Sequence, residues 1–387
     1  MRKTRRSATG LRFTSVHLEN WRNFTLVDVE LSQRVFIVGP NASGKSNFLD
    51  VFRFLHDIVS VGGGLEEAVR KRQGVSKLRA LSARKFPDIV IRVDVGGTNG
   101  ETWQYELALG HDKQQRPQIE REIVRRGAVE LLRRPDASDV DDRERLTQTY
   151  LQQVNVNKEF RPVADLFGSI RYLHIVPQLI REPDRSVGRI NDPYGGDFLE
   201  QLANTPDRTL RARLKSIGEA LRIAVPQLAQ LELTRDIRGV PHLRGRYEHW
   251  RPQGAWQTEE QFSDGTLRLL GLLWAIVETG GPLLLEEPEL SLHPDVVRFL
   301  PQMFARMQRR SGRQMMTSTH STDLLRDEGI GLDEVLLLTP GPEGTSVTPA
   351  NRFAEIKSLL NGGSTLSEAV MPLTRPKEAA QLALFGD

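Results

Sequence analysis

Gly39-Pro-Asn-Ala-Ser-Gly-Lys45-Ser46 decides the fold of this 387-residue chain. The octapeptide fits G-x-x-x-x-G-K-[ST], and its flanks are those the pattern requires. Arg34–Val38 reads as a short apolar strand, and Gly44–Val59 places Phe48, Leu49, Phe52, Leu55 and Ile58 at helical spacing. A strand, a glycine loop and a helix make a phosphate cradle. The glycines let the backbone curl so that successive N–H groups face an anion, and the helix adds its positive N-terminal end. The nucleotide-binding set is therefore Gly39, Pro40, Asn41, Ala42, Ser43, Gly44, Lys45, Ser46 and Asn47. Lys45 is expected to reach the β- and γ-phosphates of ATP, and the Ser46 hydroxyl to ligate Mg²⁺.

Three later strings add to this one. Leu283-Leu-Leu-Glu286-Glu287-Pro288 reads as a buried strand that ends in carboxylates. Glu286 is expected at the Mg²⁺ shell, in a place where aspartate is more usual. Glu287, one residue on, is expected to orient or deprotonate the attacking water. Alone, this acidic string reads as an exposed turn; the apolar triplet and the upstream glycine loop reverse that. Phe262-Ser263-Asp264-Gly265-Thr266 precedes an apolar helix, with Ser263 a natural N-cap. It is either a plain capped helix or a helix N-terminus that receives the γ-phosphate held by a second subunit. His320 follows the strand Gln314–Ser318, 33 residues after Glu287. A lone histidine in Ser-Thr-His-Ser is usually structural. In this series it is expected to hydrogen-bond the γ-phosphate and help place the water.

Composition narrows the class. Hydrophobic residues make up 39% and charged residues 27%, as in soluble globular proteins. No run approaches the roughly 18 unbroken apolar residues of a membrane helix, so no membrane is expected. The basic start MRKTRRSATG leads into no apolar stretch, which argues against a secretory signal. The chain has no cysteine, hence no disulfide framework, thiolate metal site or thiol nucleophile. A cytoplasmic location is the expectation. The net charge of +3 does not by itself point to nucleic acid. Arginine is dense in Arg2–Arg6, Arg70–Arg72, Arg121–Arg134 and Arg306–Arg313, each read most simply as a solvated face.

Leu11–Leu18 and Thr25–Leu31 alternate as half-buried strands do, and Ile89–Val95, Thr102–Leu109 and Gln118–Arg125 are strand-like, with a hairpin turn at Gly96–Gly100. Arg133–Arg145 is highly charged and reads as a linker or an exposed helix. Ile170–Val176 is strand-like; Asp197–Val225 is mostly helical, with Leu210, Leu214, Ile217 and Leu221 on one face. From Phe262 onward helices and strands alternate, which argues for a parallel α/β core. The fold expected is thus an α/β P-loop NTPase whose core strands come from both ends of the chain. Residues 1–60 carry the glycine loop, 61–260 form an inserted β and helical lobe, 261–360 complete the core, and 361–387 form a flexible tail. No heptad pattern is sustained, so no long coiled coil is expected.

Taken together, these residues resemble the ABC-type ATPases of the SMC, RecF and OLD-like group, most strongly over residues 11–60 and 260–340. Leu18-Glu-Asn-Trp-Arg-Asn23-Phe24 is similar to that group's opening strand and turn, where an Arg-Asn-Phe element borders the nucleotide. Glu287-Pro-Glu-Leu-Ser-Leu-His-Pro294 is similar to its Walker B extension and D-loop. For the group's Q-loop glutamine, a metal-shell residue, Gln178 is the candidate. The resemblance implies a head-to-tail homodimer with two ATPs between the chains. Each ATP would touch Lys45 of one chain and Ser263, Asp264 and Gly265 of the other, closing the pair until slow hydrolysis reopens it. Members act on DNA or gate a nuclease. Compact, arm-free members with these motif variants resemble ATPases of bacterial anti-phage systems, paired with a separately encoded nuclease.

Gln381-Leu382-Ala-Leu384-Phe385 resembles the bacterial sliding-clamp-binding pentapeptide, in which two apolar side chains fill a pocket and the glutamine fixes the register. The alternative for it is a helix end packed on its own domain. Three other readings of the whole chain stay open. A RecF-like DNA repair ATPase linked to the clamp differs only in partner and role. A transporter ATPase subunit shares three motifs, but 217 positions separate Ser46 from Ser263, and the signature is SDGT rather than SGGQ. An AAA+ ring is disfavoured by the SDGT helix and the histidine loop.

Overall fold

The computed structural model describes residues 10–81, 88–182, 191–248, 250, 255–278 and 280–375. Strands β1 (Arg12–Trp21) and β2 (Phe24–Glu30) open a hairpin, and β3 (Arg34–Val38) leaves it for a second sheet. β4 (Ile89–Gly96), β5 (Thr102–His111), β6 (Pro117–Arg126) and β7 (Val129–Arg134) return to the first sheet, while β8 (Arg171–Leu173) joins the second. A third sheet holds β9 (Leu228–Arg235), β10 (Pro241–Tyr247) and β11 (Ala255–Thr258). The second is completed by β12 (Leu283–Glu286), β13 (Met315–Thr319), β14 (Val335–Gly341) and β15 (Gly344–Pro349).

The first sheet is antiparallel in the order β2-β1-β4-β5-β6-β7, and the third runs β11-β10-β9. The second, β15-β14-β3-β13-β12-β8, is parallel apart from its edge strand β15. Its central strands are covered on both faces, which explains their unbroken apolar composition. Val35 and Ile37 point into one core together with Leu284, Met316 and the helix Lys45–Val59. Phe36 and Val38 point into the other with Leu283, Leu285, Met315 and the helix Asp264–Val277. The period of two along β3 therefore splits the apolar residues between two layers of a mixed α/β head.

This stacking sets the site. The loops after β3, β13 and β12 leave from the carboxyl ends of adjacent parallel strands, where α/β sheets gather ligands. Register brings Glu286 level with Ser318, and Val38 level with Thr319.

Several expectations are corrected. The charged stretch Arg133–Arg145 is no linker; it is mostly exposed and holds the short helix Ala137–Asp141, as expected, but two of its charges are buried. It starts in β7, and the side chains of Arg134, Asp139 and Glu122 are fully enclosed. Arg134 donates to Asp139 at 2.8 and 2.9 Å, to Glu122 at 3.2 Å, and to the carbonyls of Gln148 and Arg145 at 2.8 Å each. The segment's two buried charges, Arg134 and Asp139, pair inside the protein and with Glu122 staple residues 136–150 onto β6. Replacing Arg134 with Leu strands two buried carboxylates, and the expected loss is about 3–5 kcal/mol of stability, measurable by denaturant unfolding.

After Asn361 the chain does not run free. A capping box at Thr365 starts the helix Leu366–Val370, whose Leu366, Ala369 and Val370 are buried. Residues 376–387, with Gln381, Leu382, Leu384 and Phe385, lie outside the described residues. Between β13 and β14 the expected helix is replaced by two short 3₁₀ turns, Leu324–Arg326 and Leu332–Glu334. The longest described helix, Asp207–Ala224, has 18 residues, so no extended coiled-coil arm leaves the described head. Among the described residues no helix is long and apolar enough to cross a membrane.

Candidate nucleotide site

The glycine loop is braced from behind. Ala42 and Gly44 take positive φ angles of 61° and 96°, which turn the backbone around the cradle. A Cβ on Gly44 would come within 2.2 Å of Asn23 Nδ2, so only glycine fits against this brace. Asn23 donates to the Ser43 carbonyl at 2.9 Å and to Thr345 Oγ1 at 2.8 Å, and it accepts from Asn47 Nδ2 at 2.7 Å. Asn23 and Asn47 thus hold the loop's shape from the protein side.

The cradle itself suits a polyphosphate. Ser43 Oγ is buried inside it with no hydrogen-bond partner. Lys45 Nζ donates to the Gly39 and Pro40 carbonyls at 3.1 and 3.2 Å, lying along the loop's inner edge. Burial pushes the Lys45 ammonium below its ordinary pKa, and the carboxylates of Glu287, Glu289 and Glu286 pull it back toward the charged form. Asn41, Ala42 and Ser46 are exposed on the open side.

Ser46 Oγ donates to Glu286 Oε1, so the two expected Mg²⁺-shell residues meet. Hydroxyl and carboxylate are hard oxygen donors, which suits Mg²⁺. Burial raises the Glu286 carboxyl above its usual range, with the Ser46 hydrogen bond opposing. Two further residues reach Glu286 that no motif indicated. Tyr172 donates its hydroxyl to Glu286 Oε2, and His174 Nδ1 lies 3.3 Å from the Glu286 carbonyl. Both stand on or just past β8, the neighbour of β12. Gln178 lies further along, exposed on the short helix Pro177–Arg181. Arg53 of the P-loop helix stacks over the Tyr172 ring at 4.8 Å and completes this corner.

Glu287 leaves β12 with a φ of 44°, uncommon for a residue other than glycine. Its N–H donates to the Ser318 carbonyl at 3.0 Å, which pins the kink to the next strand. The kink presents the carboxylate to His320, whose Nδ1 lies 3.1 Å from Glu287 Oε1. These two expected catalytic residues, 33 positions apart, form one pair at the open mouth of the site.

Ser263 caps the helix Asp264–Val277, accepting from the Thr266 N–H at 3.2 Å, and is itself exposed. Arg181 donates to the Phe262 carbonyl at 2.7 Å and to Asp264 at 2.6 Å, fixing the helix start. A Cβ on Gly265 would approach the Ser291 carbonyl to 2.5 Å, so this helix packs closely on the loop that follows Glu289. The described partners of this helix start belong to the helix Pro177–Arg181 and the loop at Ser291, and not to the glycine loop.

Such a sheet, with the glycine loop, the Glu286–Glu287 turn and the His320 loop along one edge and the Ser263-capped helix beside it, has the α/β P-loop fold of an SMC-type head. Residues 34–327 match the family described as "AAA domain, putative AbiEii toxin, Type IV TA system", and the chain belongs to it. Among solved structures it is similar to an SMC head bound to the C-terminal winged-helix domain of ScpA, with TM-score 0.52 and 12% identity over 87% of this chain and 96% of that one. It is equally similar to SMC heads with coiled coils from Pyrococcus furiosus and Pyrococcus yayanosii, each with TM-score 0.52 and 10% identity over 92% of this chain and all of theirs. At these identities the likeness is one of fold. No curated protein matches the sequence.

Proposed function

We propose that this chain binds and hydrolyses ATP as an ATP-held homodimer, and that the closing and opening of the pair drives a separate effector. The observation that carries the reading is the convergence at the ends of β3, β12 and β13. Lys45, Ser46 with Glu286, and Glu287 with His320 meet there from three distant parts of the chain.

The roles follow from the chemistry of each group. Backbone N–H groups of the loop and Lys45 hold the phosphates. Mg²⁺, when bound by Ser46 and Glu286, supplies neutralisation of the phosphate charge. Glu287 takes the proton of the attacking water, and His320 holds the carboxylate and the water in line. The exposed N-terminus at Ser263, Asp264 and Gly265 provides unsatisfied N–H groups for the γ-phosphate held by the other chain.

The effector reading draws on the relatives. The family description names a toxin of a toxin–antitoxin system, and two of the similar SMC heads are bound to another polypeptide, ScpA. A separately encoded nuclease acting on DNA in anti-phage defence is the partner we favour. If two chains build each active site, ATP turnover per chain rises with protein concentration until the dimer saturates. A turnover number that stays flat over a hundredfold dilution series, about that range being needed to cross a micromolar dimer constant, would mean that one chain suffices.

A further inference from the structure

Glu289, the last residue of the Glu-Glu-Pro-Glu string, has no part in the roles above, yet it is almost fully enclosed at 7% exposure. A buried carboxylate away from solvent is costly unless its hydrogen bonds repay it. Burial raises its proton affinity above the usual carboxylate range.

Its contacts are one-sided. Oε1 accepts from Thr319 Oγ1 at 2.5 Å and from the His320 N–H at 3.3 Å, while Oε2 is buried with no partner. Thr319 Oγ1, whose hydroxyl donates to Glu289, in turn accepts from the Ser321 N–H at 3.0 Å. Three consecutive residues, Thr319 to Ser321, therefore hang from one carboxylate oxygen, and His320 is the middle one. At its other end Glu289 belongs to the same turn as Glu287, closed by the Leu290 N–H to Glu287 carbonyl bond at 3.2 Å. Glu289 thus ties the turn that carries Glu287 to the turn that carries His320.

We propose that Glu289 is a positioning residue: by accepting from Thr319 and His320 it holds the histidine ring at hydrogen-bonding distance from Glu287. The proposal rests on the reading of Glu287 and His320 as the hydrolytic pair. It assigns Glu289 an action through His320, with no contact to the reacting atoms. The acceptor atom matters in this role, and the charge does not, so glutamine can stand in.

The test is steady-state ATP hydrolysis by the full chain. Glu289→Ala is expected to lower kcat by about ten- to a hundredfold while the KM for ATP stays within about twofold, because the phosphate cradle is untouched. Glu289→Gln is expected to recover kcat to within about threefold of the unaltered chain. In a His320→Ala background, adding Glu289→Ala is expected to cost less than about twofold more, since the tethered group is already gone. Thr319→Val, which removes the shared hydroxyl, gives the same His320-dependent loss and serves if Glu289→Ala does not fold. Losses that multiply in the double variant, a KM that rises with the loss of kcat, or a glutamine variant as slow as the alanine one each overturn the proposal. If the unaltered chain hydrolyses ATP, Glu287→Gln is inactive and Glu289→Ala is fully active, the positioning role alone falls. If Glu287→Gln hydrolyses normally, it is the underlying reading that fails.

Discussion

Glu287→Gln is expected to stop ATP turnover while leaving ATP bound, and to leave the chain trapped as a dimer. The substitution keeps the size and hydrogen-bonding reach of the side chain next to His320, 3.1 Å away. It removes the one property that glutamine lacks, the ability to take a proton from water. General base catalysis is worth about 10²–10⁴ in rate, and a loss in that range is expected in kcat. Binding should survive, because the groups that hold phosphates lie on the glycine loop and the Lys45 ammonium, none of which the change touches. Hydrolysis is the step proposed to reopen the pair, so its loss lets the closed form accumulate. Light scattering in the presence of ATP then reports twice the 43.7 kDa mass of one chain. A variant that binds ATP, leaves it uncleaved and still scatters as a monomer at high concentration would remove the dimer from the account. A variant that keeps normal turnover would remove Glu287 as the base.

Why this pair was legible in the sequence, and its surroundings were not, has a physical reason. The P-loop and the Ser263 cap are local devices. Each is specified by residues within one turn or loop, and each flank announces its own period. Strand β3 matched its expected limits, Arg34–Val38, because a strand buried on both faces reads as an unbroken apolar run. Tyr172 and His174 carry no such mark. They reach Glu286 only because β8 lies beside β12 in the sheet, a pairing between residues more than a hundred positions apart. Asn23 could be recognised as a motif residue, but its place behind Gly44 depends on a turn and a loop folding against each other. Arg134 departs from the expected exposure for the opposite reason. Charge density predicts the exposure of most of its segment, but Arg134 finds buried partners in Glu122 on the neighbouring strand and Asp139 on the short helix that follows. The sheet of β9 to β11 escaped notice as well. Gly245 and the proline, histidine and arginine residues of Pro241–Tyr247 blur its alternation, and one of its faces packs under Phe262.

The site shared between two chains proposed above allows a sharper experiment than any single variant. Lys45→Ala is expected to disable the cradle of its own chain. Ser263→Arg is expected to disable the helix N-terminus offered to the other chain, by filling the approach with a bulky cation. Each variant alone should be inactive, since in a two-fold pair the same lesion appears in both sites. Mixed in equal amounts, half of the pairs contain one chain of each kind. In such a pair one site joins the intact Lys45 of one chain to the intact Ser263 of the other, and the second site carries both lesions. Random pairing therefore restores about a quarter of the unaltered activity if the two sites act independently. Ser263 is suited to this role because it is exposed and its helix start is held by Arg181 and Ser291 rather than by its own glycine loop. Recovery on mixing can arise only if a site is shared between chains. If the mixture stays as inactive as its parts, there are two outcomes to separate. Light scattering of the mixture with ATP, each chain also carrying Glu287→Gln, decides between them. Mixed pairs that form but do not turn over mean that both sites must fire together; their absence means that Ser263 serves its own chain and that the signature helix is a plain capped helix.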